Sequence, residues 1–494
     1  MRTTFFPTRI VDVGVPGVDV NPVLIENAQL SEPYVALSHQ WGASGLPKTT
    51  LANIEQRTKG IPLAELTNTM KDAISIVRRL GYRYLWIDVL CIIQDANDDW
   101  LAESAKMSEV FRSAILTLAV ADSQEHSDGI FRDRRAECIR PIRFEEFRMP
   151  RRIRSWFDGE GALYILPSSE KVGKGVRPRG PLDSRGWVLQ EQLLSPRILY
   201  YGAGELFWDC ISGSASESCP DSSSLLRDDK SNETWALKLI RKAIAEGDNI
   251  ESIRVHMSDA WMELITNYSS RKLTKPSDKL VAIEGILDAI RRIFGRDAII
   301  AGMWRHGLWR QLSWWSKSVR VDLTEKPNSS RFVAPSWSWL SADGSVGYNN
   351  TLDRRAETVE FRELVSAVQI EAVQAAVFSR QGKINGELRL SGYTFPYRLQ
   401  ADDLRKPAWR RFNRRHLNTG QWWLDEKLTL PQEITCLVLA EDEFTKMLIC
   451  LCLVPLQKSQ NVFKRVGLCH WEGMRHDVHN FIKSQPEKRV VTLV

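Results

Sequence analysis

His39, Asp88, Cys91, Gln94, Asp95 and Glu103 are the residues of this chain whose types and grouping could do chemistry. Cys91 with His39 would make a thiolate and imidazole pair, because a cysteine nucleophile needs a neighbouring base or positive field to ionise near neutral pH. Asp88, Asp95 and Glu103 form a carboxylate group, and one of them in an apolar cleft could be held ready for acid or base work. Ser38, Trp41, Gln94 and Asp95 are the matching candidates for holding a ligand. Trp41, Trp86, Trp100 and Trp187 could also stack on a flat ring such as a nucleobase or nicotinamide. Each residue has a plainer role open to it: Cys91 as a small buried residue beside Ile92, Asp88 in a turn hydrogen bond, Asp95 in a loop, Glu103 on a solvated helix face, the tryptophans as core.

These residues are far apart in sequence, so their meeting depends on the elements between them. Tyr34 to Ser38 reads as a short strand that stops at the turn-like His39-Gln40-Trp41-Gly42. Met70, Ala73, Ile74, Val77 and Leu80 recur at helical spacing, with Asn68 or Thr69 to cap the start and Gly81 to end it. Tyr84 to Leu90 has almost no polar alternation, as expected of a strand covered on both faces. Asp98 or Asp99 then caps a second helix whose apolar face runs through Trp100, Ala102 or Glu103, Met107, Val110 and Phe111, and Ile115 to Val120 reads as a third strand. The alternation implies an α/β domain with a mostly parallel sheet. Right-handed crossovers would carry all three carboxyl ends to one edge, where ligands bind in such sheets. Ser38 and His39, Asp88 and Cys91, and Ala121 and Asp122 end the three strands and would converge there.

The 494 residues are enough for more than one core. Lys plus Arg at 67 against Asp plus Glu at 61 is a small excess, so the overall charge does not call for a nucleic-acid partner. One basic and aromatic patch, Arg410, Arg411, Arg414 and Arg415 with Trp409, Phe412 and His416, is the exception, and such a run is usually a solvated face. Eight cysteines, sparse and unevenly spaced, do not make a secreted disulfide framework and read as reduced thiols in a cytoplasmic protein. Cys450, Cys452, Cys469, His470, His476 and His479 match no tight zinc spacing, so no metal is expected. Gly42-Ala43-Ser44-Gly45 lacks the spacing of a phosphate loop and gives no support to a dinucleotide-binding Rossmann fold. The amino terminus has no signal-peptide core, and the apolar run from Met447 to Leu456 is half the length of a membrane span, so it reads as a buried strand.

Three stretches carry a resemblance to a known family. Tyr34-Val35-Ala36-Leu37-Ser38-His39-Gln40-Trp41-Gly42 resembles the opening YxALSHxWG motif of fungal heterokaryon-incompatibility (HET) domains. Leu85-Trp86-Ile87-Asp88-Val89-Leu90-Cys91-Ile92-Ile93-Gln94-Asp95, followed by Asp99-Trp100, Glu103 and Met107, resembles the central motif, with Val89 where serine is usual. Arg185 to Ser195 resembles the closing RGWTLQERLLS motif, with Val188 for threonine and Gln192 for arginine. Pro7-Thr8-Arg9, Tyr268 to Thr274 with Asp278-Lys279-Leu280, Ala301 to Trp304 and Ala334 to Trp339 are similar to segments of longer HET proteins.

The resemblance implies a role in nonself recognition and programmed cell death after incompatible fusion, through an unknown protein partner or self-association. It also implies a distant relation to TIR domains, hence a TIR or flavodoxin-like alternation. Some TIR domains cleave NAD with a glutamate, and that analogy marks Glu103, with NAD as substrate and no cofactor required. A non-catalytic signalling or oligomerisation module and a Cys91-dependent hydrolase are the alternatives. The expected layout is an N-terminal extension over 1–32, the HET domain over 33–211, a serine-rich linker or loop over 212–234, a mainly helical region over 235–367 and a β-rich C-terminal module over 368–494.

Overall fold

The computed structural model describes residues 5–15, 20–26, 32–42, 45–123, 128–132, 142–144, 163–165, 179–217, 233–247, 251–317, 334–348, 361–363, 366–374, 384–400, 421–425, 428, 432–442, 447–456, 461–471 and 488–494. They fall into two units, Met1–Asp229 and Lys230–Val494.

The first unit is organised by short apolar strands. In chain order they are β1 (Arg9–Asp12), β2 (Val23–Glu26), β3 (Tyr34–Ser38), β4 (Tyr84–Trp86), β5 (Leu116–Val120), β6 (Ile142–Phe144), β7 (Leu163–Ile165), β8 (Arg197–Tyr201), β9 (Leu206–Cys210) and β10 (Gly213–Ser216). All but β6 and β7, which pair with each other, form one mixed sheet in the order β10-β9-β8-β5-β3-β4-β1-β2. The pairings β4 with β3, β3 with β5 and β5 with β8 are parallel. Antiparallel hairpins close both edges. Every residue of β3, β4 and β5 is buried, which is why those runs lack alternation.

The helices of this unit are α1 (Ile54–Lys59), α2 (Asn68–Arg79), α3 (Asp88–Cys91), α4 (Asn97–Ser113) and α5 (Val188–Leu194). Met70, Ala73, Ile74 and Val77 of α2 are buried as their spacing requires, but Leu80, past the last turn, is 47% exposed. The α2 cap is Thr67, whose side chain accepts from Met70 N, not Asn68 or Thr69, which lie inside the helix. The strand expected through Leu90 ends at Trp86. Asp88 starts a one-turn helix instead, its Oδ1 accepting from Val89 N at 2.7 Å. Val89, Leu90 and Cys91 are buried there, and a fully buried apolar run looks the same in sequence whether it is strand or helix. No side chain caps α4, which starts after Ala96. Asp99 is turned to Arg9 and Ile93 N instead. The inward face of α4 takes Glu103, not Ala102, together with Met107, Val110 and Phe111. Tyr34 Oη donates to the Val110 carbonyl and Trp86 packs edge-on against Phe111, so α4 covers the sheet face that carries these two aromatics.

In the second unit the helices are α6 (Glu233–Glu246), α7 (Glu251–Ser269), which buries Ile253, Met257, Trp261, Leu264 and Ile265, and α8 (Val281–Phe294), which buries Ile283, Ile286, Leu287 and Ile290 after the buried Leu280 that precedes it. Short strand pairs at 299–304 and at 315–316 with 346–347 follow. A nine-stranded sheet then runs from Phe361–Glu363 to Arg489–Leu493. The Met447 to Leu456 run is its strand Leu448–Pro455. Cys436 lies opposite Cys452, and Cys450 opposite Cys469, all four buried as free thiols. The Arg410 to His416 patch, His476 and His479 lie outside the described residues.

Two nodes hold this second unit. The Gly302 carbonyl accepts from both Trp261 Nε1 and Trp339 Nε1, while Ala301, at φ 46, offers its carbonyl to Ser338 Oγ. The buried Arg465 guanidinium lies 3.6 Å from the Trp314 ring centroid, pairs with Asp425 at 2.8 Å and donates to the Leu312 and Trp314 carbonyls. Among the described residues no helix is long and apolar enough to cross a membrane.

Gly180 is where the closing segment of the first unit meets the sheet, since a Cβ there would lie 2.0 Å from the Ala121 carbonyl oxygen, past the end of β5. Gly180→Ala is therefore expected to destabilise the first unit by about 1–3 kcal/mol, as overpacking does. A lowered urea midpoint for that unit is the measurement, and an unchanged midpoint would contradict the close approach.

Candidate functional site

The three parallel strands read from sequence end together, and their ends carry most of the candidates. His39 follows β3 and is buried; its Nδ1 is 3.9 Å from Asp88 Oδ1. Trp41 Nε1 donates to Asp88 Oδ2 at 2.8 Å. Arg185 donates from Nη1 to the His39 carbonyl and holds its guanidinium 5.9 Å from the centroid of the Trp41 ring. Lys48 Nζ is 5.8 Å from the same ring. Residues from all three sequence motifs thus touch at one place, although Arg185 is 146 positions from His39.

Other candidates are placed differently. Gln94 folds back on its own loop and donates to the Asp88 and Ile92 carbonyls at 3.3 and 3.0 Å. Asp95 is exposed and accepts from Leu51 N at 2.9 Å. Cys91 is fully buried, and burial pushes its thiol up to about 12. Such a thiol holds a thiolate fraction on the order of one in 10⁵ at neutral pH. Trp100 and Trp187 meet edge to face at 6.3 Å and join α4 to the closing motif.

Glu103 makes no hydrogen bond or ion pair with His39 or Asp88. It is 4% exposed on α4, where its Oε1 receives Lys106 Nζ at 2.9 Å. Ser38 lies four residues beyond Tyr34 in β3, so the two share the sheet face that α4 covers. Four strand residues rise about 13 Å, or about nine residues of an antiparallel helix. Counting back nine residues from Val110 reaches Leu101, so Ser38 lies level with the first half of α4. Ser38 Oγ and Trp86 Nε1 on this face are buried without a hydrogen-bond partner among the described residues. Leaving such a group unsatisfied costs about 1–3 kcal/mol, and exceptions of this kind call for an explanation in the site they border.

Sequence reasoning missed three contributors. Arg9, on β1, donates to the Cys91 carbonyl at 2.7 Å and grips Asp99 at 2.5 and 2.6 Å. Burial lowers the Arg9 pKa, but the hydrogen bond and charge of Asp99, with Glu103 and Glu26, outweigh it, and the net shift is upward. A charged residue opening the apolar run Arg9-Ile10-Val11 was the available signal. Thr49 anchors the loop after β3 by donating from Oγ1 to the Leu90 carbonyl at 2.6 Å, and nothing in its neighbourhood marked it. Arg185 stood in the closing motif without a role. Among the described residues, no group of three or more His, Cys, Asp and Glu side chains is arranged to hold a metal ion.

The state of Cys91 gives a direct check. A thiol-reactive probe is expected to label half-buried Cys210 ahead of Cys91 in the native chain. Raising the pH from about 7 to about 9 should leave Cys91 unlabelled, because the thiolate is the reacting form. Fast labelling of Cys91 at the lower pH would overturn this.

Among known proteins, no curated protein and no solved structure matches the chain. One family model does match, described as Heterokaryon incompatibility protein (HET), over residues 34–191. The match begins at the first residue of β3 and ends inside α5, and so takes in His39, Trp41, Asp88, Glu103 and Arg185. The chain carries a HET domain whose three motifs meet at the carboxyl edge of the sheet.

Proposed function

We propose that this protein is a cytoplasmic effector of fungal nonself recognition, triggering programmed cell death when a protein partner or self-association activates it. In this reading the carboxyl edge of the HET domain binds a nucleotide such as NAD and cleaves it. The observation that carries the reading is the meeting of Trp41, Asp88, His39 and Arg185 from three separated motifs at the strand ends.

The order β4-β3-β5-β8 of the parallel strands supports it. Numbered along the chain this is 2-1-3-4, the flavodoxin-like order, also expected from a TIR-like relation, in which ligands sit where the chain reverses direction between its first and third strands. Lys48 and Arg185, both beside the Trp41 ring, offer positive charge to a pyrophosphate. Glu103, Ser38 and Trp86 offer polar groups on the α4 face. In cleavage, the bond from the ribose C1′ to the nicotinamide nitrogen breaks and nicotinamide leaves with the electron pair. The Glu103 carboxylate stabilises the positive charge left on the ribose. Water then adds at C1′ and releases a proton, giving ADP-ribose.

A second reading has its own support. Glu103 is already engaged by Lys106, as a structural tie would be, and a non-catalytic signalling module would use it that way. Incubating the clustered full-length protein with NAD and assaying free nicotinamide separates the two. The enzymatic reading expects turnover that Glu103→Gln lowers by about a hundredfold or more, the usual scale for loss of an electrostatic stabiliser, with toxicity lost in parallel. Absence of turnover, or full toxicity in Glu103→Gln, sinks it in favour of the signalling module.

A further inference from the structure

Glu103 is held in place by residues that precede the matched domain. Its partner Lys106 Nζ also donates to Thr8 Oγ1 at 2.8 Å. The next residue, Arg9, is 5% exposed and ties three elements together. It holds the Cys91 carbonyl of α3, both carboxylate oxygens of Asp99 on α4, and, at 3.7 Å, Glu26 of β2.

The register explains how Arg9 reaches that place. β1 runs antiparallel to β4, with Val11 opposite Leu85 and Asp12 opposite Tyr84. Continuing that pairing brings Arg9 level with Ile87, at the carboxyl end of β4 where α3 begins. Asp99 and Glu103 are four residues apart on α4 and so lie on one side of the helix, where like charges repel. The Arg9 guanidinium attracts both carboxylates. The first two turns of α4, and Glu103 with them, are therefore docked by an upstream strand.

We propose that Arg9 and Thr8 are positioning residues for Glu103, Arg9 acting through Asp99 and Thr8 through Lys106, so that the strand before the HET domain holds the reacting carboxylate at the sheet edge. This rests on the role given to Glu103 under the proposed function and deepens it.

The test uses full-length Thr8→Val, Arg9→Gln and Arg9→Lys. Thr8→Val removes one part-buried hydrogen bond while keeping the side-chain shape, and should lower the melting temperature little, which keeps the test informative even if Arg9→Gln folds poorly. For nicotinamide release, Arg9→Gln is expected to lower kcat by about tenfold or more and Thr8→Val by about threefold, with KM for NAD little changed, as a misplaced group does. Arg9→Lys should recover part of the loss, since it keeps the charge but cannot reach Asp99 and the Cys91 carbonyl from separate nitrogens.

Hydrogen exchange is read on the same variants. The expected result is faster exchange confined to the first turns of α4, with β3 and β5 as in the parent chain. Wild-type kcat in both Thr8→Val and Arg9→Lys, a change in KM alone, or exchange that is unchanged or uniformly faster overturns the proposal. If the parent chain releases no nicotinamide, the enzymatic reading of Glu103 fails by itself, and the exchange pattern alone decides whether Thr8 and Arg9 position this helix.

Discussion

A carboxylate at the end of a buried strand has to be satisfied, because an ionised group taken out of water without hydrogen bonds is strongly disfavoured. Around Asp88 this requirement organises the HET domain. One oxygen accepts from Val89 N and turns the chain out of β4 into a single helical turn. The other accepts from Trp41 and fixes the loop that leaves β3. His39 and then Arg185 come up against this pair, so that the closing motif is read against the opening one through a side chain of the central one. The parallel sheet supplies the strand ends, and Asp88 decides how the loops that leave them are arranged.

Much of this was legible in the residues. The helical spacing of Met70, Ala73, Ile74 and Val77, the unbroken apolar runs of β3 and β5, and the ends of the strands at one edge all follow from periodicity. What escaped was set by tertiary partners. Val89, Leu90 and Cys91 are apolar in any conformation, so the helical turn shows only in its bonds, from Leu90 N and Cys91 N to the Ile87 carbonyl and from Val89 N to the Asp88 side chain. Asp99 has the composition of a helix cap but answers to Arg9, ninety positions away. The first residues of the chain looked like an extension because two four-residue strands carry no periodicity of their own. They complete one edge of the sheet and deliver Arg9 to the far side of the candidate site. For Glu103 the spacing left burial or a solvated face open, and the structure buries it with a cation.

The second unit uses a related economy. The segments that resembled longer HET proteins, around Tyr268, Ala301 and Trp337, are distant in sequence but meet at Trp339, whose indole N–H is aimed at the Gly302 carbonyl and whose ring packs edge-on against Tyr268. A tryptophan is large enough to fill a core and still needs one hydrogen bond, so each one specifies where its neighbour's backbone must pass. The chain has 18 tryptophans, and Trp261, Trp314 and Trp339 are put to this use. Arg465 works in the same way with a charge, lying over Trp314 and donating to the Leu312 and Trp314 carbonyls.

The parallel pairing of β5 with β8 joins Thr117 to Ile198, which bears on the moment during synthesis at which the domain comes into being. A ribosome delivers β3, α2, β4, α4 and β5 first, and at that stage β5 has one strand neighbour and one bare edge. Arg185 and then β8 arrive only after a long further stretch of chain, and pairing over such a separation is slow because the loop must close before any contact rewards it. Until then, the group that braces His39 and the indole of Trp41 is missing. A nascent or prematurely ended chain therefore carries the Trp41 and His39 contacts to Asp88 without the Arg185 that closes over them. A domain built this way completes its strand-end grouping only when its last parallel strand is made.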